Sequence, residues 1–334
     1  MSADPTPGSA PGPADSTPDA AGVAVAVAPA RPQPSGGHAI EGRSPWQLAW
    51  IHLRKDRAAM ISLAFILLLA LLSVSAPLLA HWIGWSPTDQ DRTQGLTVDG
   101  LPVGPSGRHL LGTDNLGRDI LVRVLYGSQV SLLVGVVSTL LAVAMGVLVG
   151  LVAGYFGSAV DTVLSRVMDL VLSFPFLLFA IALVSIFGSS LAISVFVIAF
   201  FSWAAVGRIV RGQTLSIREK EYIEAARSLG AGDLRIMFVD VLPNLLAPVI
   251  VYTTLLIPIA IVFEATLSFL GLGVVPPAPT WGNMLSDSLD FYQVAWWFPL
   301  FPGLALLLTT LAFNLLGDGV RDALDPRAER LFQD

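Results

Sequence analysis

Long stretches without a single charged residue alternate with short polar segments along this chain. Uncharged runs cover 58–80, 129–156, 170–207 and 297–317, and another begins at 244 and meets its first charge at Glu264. A run of about 20 apolar residues suits a helix crossing a hydrocarbon core of about 30 Å. The run 170–207 is too long for one such helix, and Gly188-Ser189-Ser190 supplies a turn within it. The pattern therefore predicts spans at 58–80, about 129–156, 167–187, 191–207, 244–270 and 297–317. Pro175 is expected to kink the third span, and Pro248 or Pro258 to bend the fifth. Nothing alternates with a period of two, as a barrel strand would. Lipid forbids exposed irregular backbone, so the expected fold class is all-α, a polytopic bundle of six transmembrane helices.

The charges orient this bundle. Arg43, Arg54, Lys55 and Arg57 precede the first span, which places that end in the cytoplasm by the positive-inside rule. Trp82 and Trp85 follow it and suit the opposite interface. Residues 81–127 hold Asp89, Asp91, Asp99, Asp114 and Asp119 against Arg92, Arg108, Arg118 and Arg123, and read as an external loop. Residues 208–243 hold Arg208, Arg211, Arg218, Lys220, Arg227 and Arg235, and read as an inner loop. The segment 271–296 carries Asp287 and Asp290 with no Lys or Arg and falls outside, whereas 318–334 carries Arg321, Arg327 and Arg330 and falls inside. Both termini are thus expected in the cytoplasm. A short inner loop with Asp161 and Arg166 is expected between the second and third spans.

Composition sharpens the class. The 334 residues are 54% hydrophobic and 13% charged, less charge than soluble domains carry. Residues 1–44 differ: rich in Pro, Ala, Gly and Ser, they read as a disordered tail before a single domain at 45–334. They lack the basic start and apolar core of a signal peptide. With no cysteine, disulfides and thiolate metal sites are excluded, and His38, His52, His81 and His109 are not spaced as metal ligands. Nothing in the charge pattern points to nucleic acid. No Gly-x-x-x-x-Gly-Lys-Ser/Thr loop, Gly-x-Ser-x-Gly elbow or His-Glu-x-x-His helix is present, so neither ATP hydrolysis nor hydrolytic chemistry is expected on this chain. Ala142, Gly146, Gly150 and Gly154 recur every fourth residue, a face on which two membrane helices approach closely, within this subunit or against another.

The segment richest in chemistry lies in the inner loop. Ser216-Ile217-Arg218-Glu219 reads as a capping box opening a helix that runs to Leu229. Lys220 with Glu224, and Glu224 with Arg227, are spaced as ion pairs on its exposed face. Gly230 suits the left-handed position after a helix. Asp233 then reads as the cap of a second helix, which Pro243 interrupts before the next span. A lipid-lying helix needs neither this balance of acid and base nor a sharp turn, so a docking surface for a soluble partner is the expectation.

Glu224-Ala225-Ala226, Gly230 and Leu242-Pro243 resemble the loop motif of membrane subunits of bacterial ATP-driven (ABC) importers. Gly112-Thr113-Asp114-Asn115-Leu116-Gly117-Arg118-Asp119 and the run Glu264 to Gly273, continuing through Pro276-Pro277 and Trp281-Gly282, are similar to signatures of the dipeptide, oligopeptide and nickel permeases, and closer to the second permease of each pair. The resemblance spans about 43–330. It implies a type I importer permease fold in the bacterial inner membrane. Its implied partners are a sister permease, two ATPase subunits carrying ATP and magnesium, an extracytoplasmic substrate-binding protein and lipid, with no cofactor on this chain. It implies a coupling helix that docks on the ATPase, built from Glu221, Glu224, Ala225, Ala226, Arg227, Gly230, Leu242 and Pro243. One departure is Asp240, where peptide-importing relatives usually carry histidine. Glu264 is expected either to meet a peptide amine in the pathway or to bond a neighbouring helix, and Asp169 has the same two readings. Asp114, Arg118 and Asp119 either contact the binding protein or hold the external loop together. Short peptides are the implied substrate, with nickel or glutathione as alternatives. An ion-coupled secondary transporter is the rival class, but no clear inverted repeat is visible.

Overall fold

In the computed structural model, residues 45–324 are described; the expected tail 1–44 and residues 325–334 lie outside them. Asp56 starts the first spanning helix by accepting from the amides of Ala58 and Ala59 at 2.8 and 3.2 Å. Helix α1 (Pro45–Lys55) precedes it, and α2 (Arg57–Val74) and α3 (Ala76–Ile83) follow each other through Ser75, with Pro77 in the first turn of α3. The expected span 58–80 is therefore two helices in near succession. The proline falls where its missing N–H costs no bond.

Helix α4 (Ile120–Phe156) has 37 residues, with Asp119 as its cap, accepting from the Val122 amide at 3.0 Å. It starts nine residues before the expected span, because that cap sits in the polar loop rather than at the edge of the apolar run. The expected inner loop around Asp161 and Arg166 is not a loop: α5 (Ser158–Ser173) begins directly after Gly157. Asp161 on α5 instead pairs with Arg211. The third span is not one kinked helix either. Phe174 is extended (φ −76°, ψ 136°), as the residue before a proline tends to be, and α5 meets α6 (Phe176–Phe187) at 83°. The structure thus holds five helices long and apolar enough to cross a membrane, or six if α5 and α6 form one broken span, among the described residues.

Helix α7 (Leu191–Arg218) starts at Ser190, whose hydroxyl accepts from Ile193 N at 3.2 Å, and runs eleven residues past the expected end at 207. The short α8 (Glu221–Ser228) and α9 (Asp233–Arg235) follow, then a π-helical turn (Ile236–Val241) leading into α10 (Leu242–Phe269). Pro248 and Pro258 both lie inside α10. Helix α11 (Trp281–Asp287) opens on a reciprocal capping box between Thr280 and Asn283, and α12 (Trp297–Leu324) completes the described chain. Among the described residues there is no strand, only isolated bridges such as Thr113 with Asp119.

The small-residue face of α4 packs within the subunit, against α7. A Cβ on Gly146 would meet Val206 Cβ at 2.6 Å, one on Gly150 the Gly207 carbonyl at 2.5 Å, and one on Gly154 Thr214 Cβ at 2.6 Å. Around this seam a core gathers Leu151, Tyr155, Met168, Trp203 and Val210 with Ile223, Ile236, Met237 and Val241. The other faces keep large apolar side chains exposed, among them Ile61, Leu71, Leu148, Ile186 and Leu307. In a subunit whose spans are this apolar, such faces suit lipid or another membrane protein.

Candidate functional site

The hairpin between α7 and α10 is built from two short helices hung on an apolar hinge. Ser216 does not open its first helix. It lies inside α7, which continues to Arg218, where the guanidinium Nη1 donates to the Tyr155 carbonyl at 3.0 Å. That tertiary bond and the packing of Thr214 against Gly154 carry α7 past its local capping signal. Helix α8 starts instead after Lys220, without a side-chain cap. Neither Lys220 with Glu224 nor Glu224 with Arg227 forms an ion pair; their side chains stand on the exposed face.

Gly230 adopts φ +84°, as expected. Its amide donates to the Arg227 carbonyl at 3.0 Å and the Ala231 amide to that of Ala226 at 3.1 Å, the paired bonds of a Schellman turn. A side chain at Gly230 would meet nothing within 4 Å, so the left-handed backbone alone demands glycine. Asp233 does not cap the second helix. Gly232 occupies that position, and Asp233 Oδ1 accepts from the Tyr155 hydroxyl at 2.8 Å. Pro243 does not interrupt a helix: it sits in the first turn of α10, directly after the wide π turn.

The two faces of this hairpin differ. Ile223, Ile236, Met237 and Val241 are buried beneath it. On the other side Tyr222, Leu229, Leu234, Phe238 and Val239 are exposed, Leu229 at 88%, interleaved with Glu221, Glu224, Arg227 and Arg235. Ala225, Gly230 and Pro243 are exposed, and Ala226 and Leu242 half-buried. Asp240, at the departing position, is also half-buried. An amphipathic unit with a fixed inner face and an apolar, mixed-charge outer face is suited to seat in a groove of another protein.

At the far end of α4, about 55 Å away by helix rise, a polar cap is knotted together. Asp114 accepts from the Leu116 and Arg118 amides at 2.9 and 3.0 Å and from Arg118 Nε at 2.6 Å; Arg123 Nε lies 3.2 Å from it. Arg118 also reaches Asp287 at 3.6 Å, which ties the cap to α11. Burial pushes the Asp287 carboxyl up, with Arg123 and Arg118 pulling it back. His109 stands between two carboxylates, Nδ1 2.9 Å from Asp119 and Nε2 3.5 Å from Asp91. Burial also pushes the Asp91 carboxyl up. Hydrogen bonds from the Gln94 amide, the Thr93 hydroxyl, Arg108 and His109 outweigh it and hold Asp91 well below the usual carboxylate range. Asp114, Arg118 and Asp119 are all buried in this network.

Glu264 is fully buried, and accepts from Ser131 on α4 and Ser268 on α10, each at 2.7 Å. Asp169 is half-exposed and pairs with Arg208. Trp281 donates to the Val124 carbonyl at 3.1 Å, and the neighbouring Gly282 sits where a Cβ would meet the Ala265 carbonyl at 2.2 Å. The Glu264–Gly273 and Trp281-Gly282 signatures are therefore one packed unit around α10 and α11. Sequence reasoning missed Tyr155, His109, Asp91 and Arg123 as members of these sites. For Arg123 and Tyr155 the one local signal is a polar side chain near either end of a largely apolar 37-residue helix, and for His109 and Asp91 there is none.

Residues 146–330 match the family described as binding-protein-dependent transport system inner membrane component, and residues 44–98 match the N-terminal TM domain of oligopeptide transport permease C. The chain is 43% identical to the dipeptide transport system permease protein of Haemophilus influenzae, over 86% of this chain and 97% of the relative. It is 44% identical to the dipeptide transport system permease protein of Alkalihalophilus pseudofirmus, over 85% of this chain and 90% of the relative. It is 42% identical to the glutathione transport system permease protein of Pectobacterium atrosepticum, over 85% and 92% respectively.

Proposed function

Because the chain belongs to the family of binding-protein-dependent transport system inner membrane components, as an ABC importer permease of the dipeptide and oligopeptide group, we propose that it forms half of a pathway importing dipeptides and short oligopeptides. It is a transport subunit of the inner membrane, not an enzyme. In this reading a sister permease supplies the other half, a substrate-binding protein delivers peptide from outside, and two ATPase subunits hold the ATP and magnesium.

The observation that carries the reading is the hairpin 219–243, with its buried inner face and its exposed Tyr222, Leu229, Leu234 and Phe238. We assign Glu221, Glu224, Ala225, Ala226, Arg227, Gly230, Leu242 and Pro243 to docking on the ATPase. ATP-driven closure of that partner would move α8 and tilt the α4–α7 pair beneath it. The basic residues Arg208, Arg211, Arg218, Lys220, Arg227 and Arg235 support a cytoplasmic position for this end. Asp114, Arg118 and Asp119 are assigned to shaping the external platform from within. Glu264 is assigned to joining α4 to α10, since both carboxylate oxygens are already engaged.

A tagged chain purified from the native membrane is expected to bring an ATPase and a sister permease with it, and Gly230→Pro is expected to abolish ATP-dependent peptide uptake. Full uptake by Gly230→Pro would remove the coupling role. The 42% identity to a glutathione permease supports a second substrate, itself a small peptide. Competition of labelled dipeptide uptake by glutathione separates the two.

A further inference from the structure

Two breaks in the regular helix flank Asp233. On one side lies the Gly230-Ala231-Gly232 turn, where neither glycine would have a Cβ neighbour within 4 Å. On the other lies the π-helical turn Ile236–Val241, a geometry that breaks the regular α ladder and is frequent at functional sites. The backbone path from α8 to α10 therefore runs through two breaks in regular helix, the second of them packed into the core by Ile236, Met237 and Val241.

A shorter route exists. Tyr155 is buried near the end of α4, within the core that holds Ile223 and Ile236. Its hydroxyl donates to Asp233 at 2.8 Å, and its carbonyl accepts from Arg218 at the end of α7. Arg227 of α8 faces the same hydroxyl. The Tyr155–Asp233 bond joins the segment 221–241 to α4 across 78 residues of chain, whereas Asn244 of α10 bonds only the carbonyl of its near neighbour Asp240. Helices α4 and α7 are in turn locked by Gly146, Gly150 and Gly154, where no Cβ fits. One tyrosine thus touches the hairpin, the end of α7 and the α4 rod that reaches the opposite cap.

We infer that Tyr155 is a positioning residue for transport, a tether through Asp233 that carries hairpin movement directly into the α4–α7 pair. The inference rests on the docking role proposed for the hairpin and adds the element that receives the motion. Without the hydroxyl, the ATPase still docks and turns over, but less of each stroke reaches α4 and α7.

The test uses the whole complex in proteoliposomes, with its binding protein, and reads peptide imported per ATP hydrolysed. Tyr155→Phe keeps the ring in its pocket and removes the donor. It is expected to lower that ratio about tenfold, the size of effect expected for one net hydrogen bond. Asp233→Asn retains an acceptor and is expected to stay near the parent ratio. Asp233→Ala, at an exposed position on which no core packing depends, is expected to match Tyr155→Phe, and the double variant to be no worse than either. A parent ratio in Tyr155→Phe overturns the tether, as does a fall in import and hydrolysis in equal proportion. Multiplying losses in the double variant overturn it too, because the two residues would then act separately. Gly230→Pro run in parallel separates the two claims. If it uncouples while Tyr155→Phe does not, only the tether falls; if it does not uncouple, the docking role itself falls.

Discussion

Gly150 on α4 lies so close to Gly207 on α7 that a Cβ on the first would meet the carbonyl oxygen of the second at 2.5 Å. The neighbour is backbone and cannot swing aside. Gly150→Ala is therefore expected to cost about 1–3 kcal/mol through overpacking, and Gly150→Leu to prevent the α4–α7 seam from forming. Gly212, also inside α7, has nothing within 4 Å of its missing Cβ and no positive φ. Gly212→Ala is expected to raise stability by about 0.5–1 kcal/mol, since only helix entropy changes. Thermal midpoints of the purified protein in detergent check both signs.

Glu264→Gln keeps an acceptor for one serine and a donor for the other, whose hydroxyl can rotate to accept. It is expected to leave uptake near the parent level. Glu264→Ala leaves Ser131 and Ser268 without partners and a gap between α4 and α10, at a cost of about 2–5 kcal/mol. Uptake measured for both variants decides the matter. A loss in Glu264→Gln alone would instead return this carboxylate to the substrate pathway.

Arg123 is buried at 2% exposure, with Asp114 as its carboxylate neighbour. Asp114→Asn removes the carboxylate charge beside that guanidinium and leaves Arg118 with Asp287 alone, 3.6 Å away. Removing one partner of a buried ion pair costs about 3–5 kcal/mol. The expected result is protease cleavage in the 84–119 loop of the variant under conditions that spare the parent.

The cap should also loosen in acid. The Asp91 carboxyl is held below its ordinary 3.8 in the folded cap. A carboxyl depressed on folding contributes stability that is fully present above its unfolded value and lost as pH falls below it. With the intrinsic pH dependence of amide exchange divided out, the opening of 86–119 is expected to be flat from neutral pH down to about 5 and to rise below about 4. In Asp91→Asn that acid-dependent rise should shrink.

The spans were legible because an uncharged run of about 20 residues has few other uses. Their ends were not. Helix α7 passes Ser216 because Arg218 bonds the Tyr155 carbonyl, and no local pattern announces a partner 63 residues away. Pro175 signals a break, but the 83° angle between α5 and α6 depends on what packs around them. Gly230 was readable, since a left-handed turn after a helix needs little beyond its own residues. Asp233 looked like a helix cap and became a tertiary acceptor, because Gly232 already filled the capping position. The cap network is the extreme case. His109 is ten residues from Asp119 and eighteen from Asp91, and only the folded loop brings the three together.

The chain contains no cysteine, so Leu229→Cys, at the most exposed apolar position of the hairpin, carries a single thiol. A thiol-anchored photo-crosslinker there, activated in native membranes, tests most directly whether this surface grips an ATPase. The expected product is one adduct with the mass of this chain plus an ATPase subunit, with the thiol closed to impermeant maleimide added outside the cell. Adducts to lipid alone, or labelling of the thiol from outside, would contradict it.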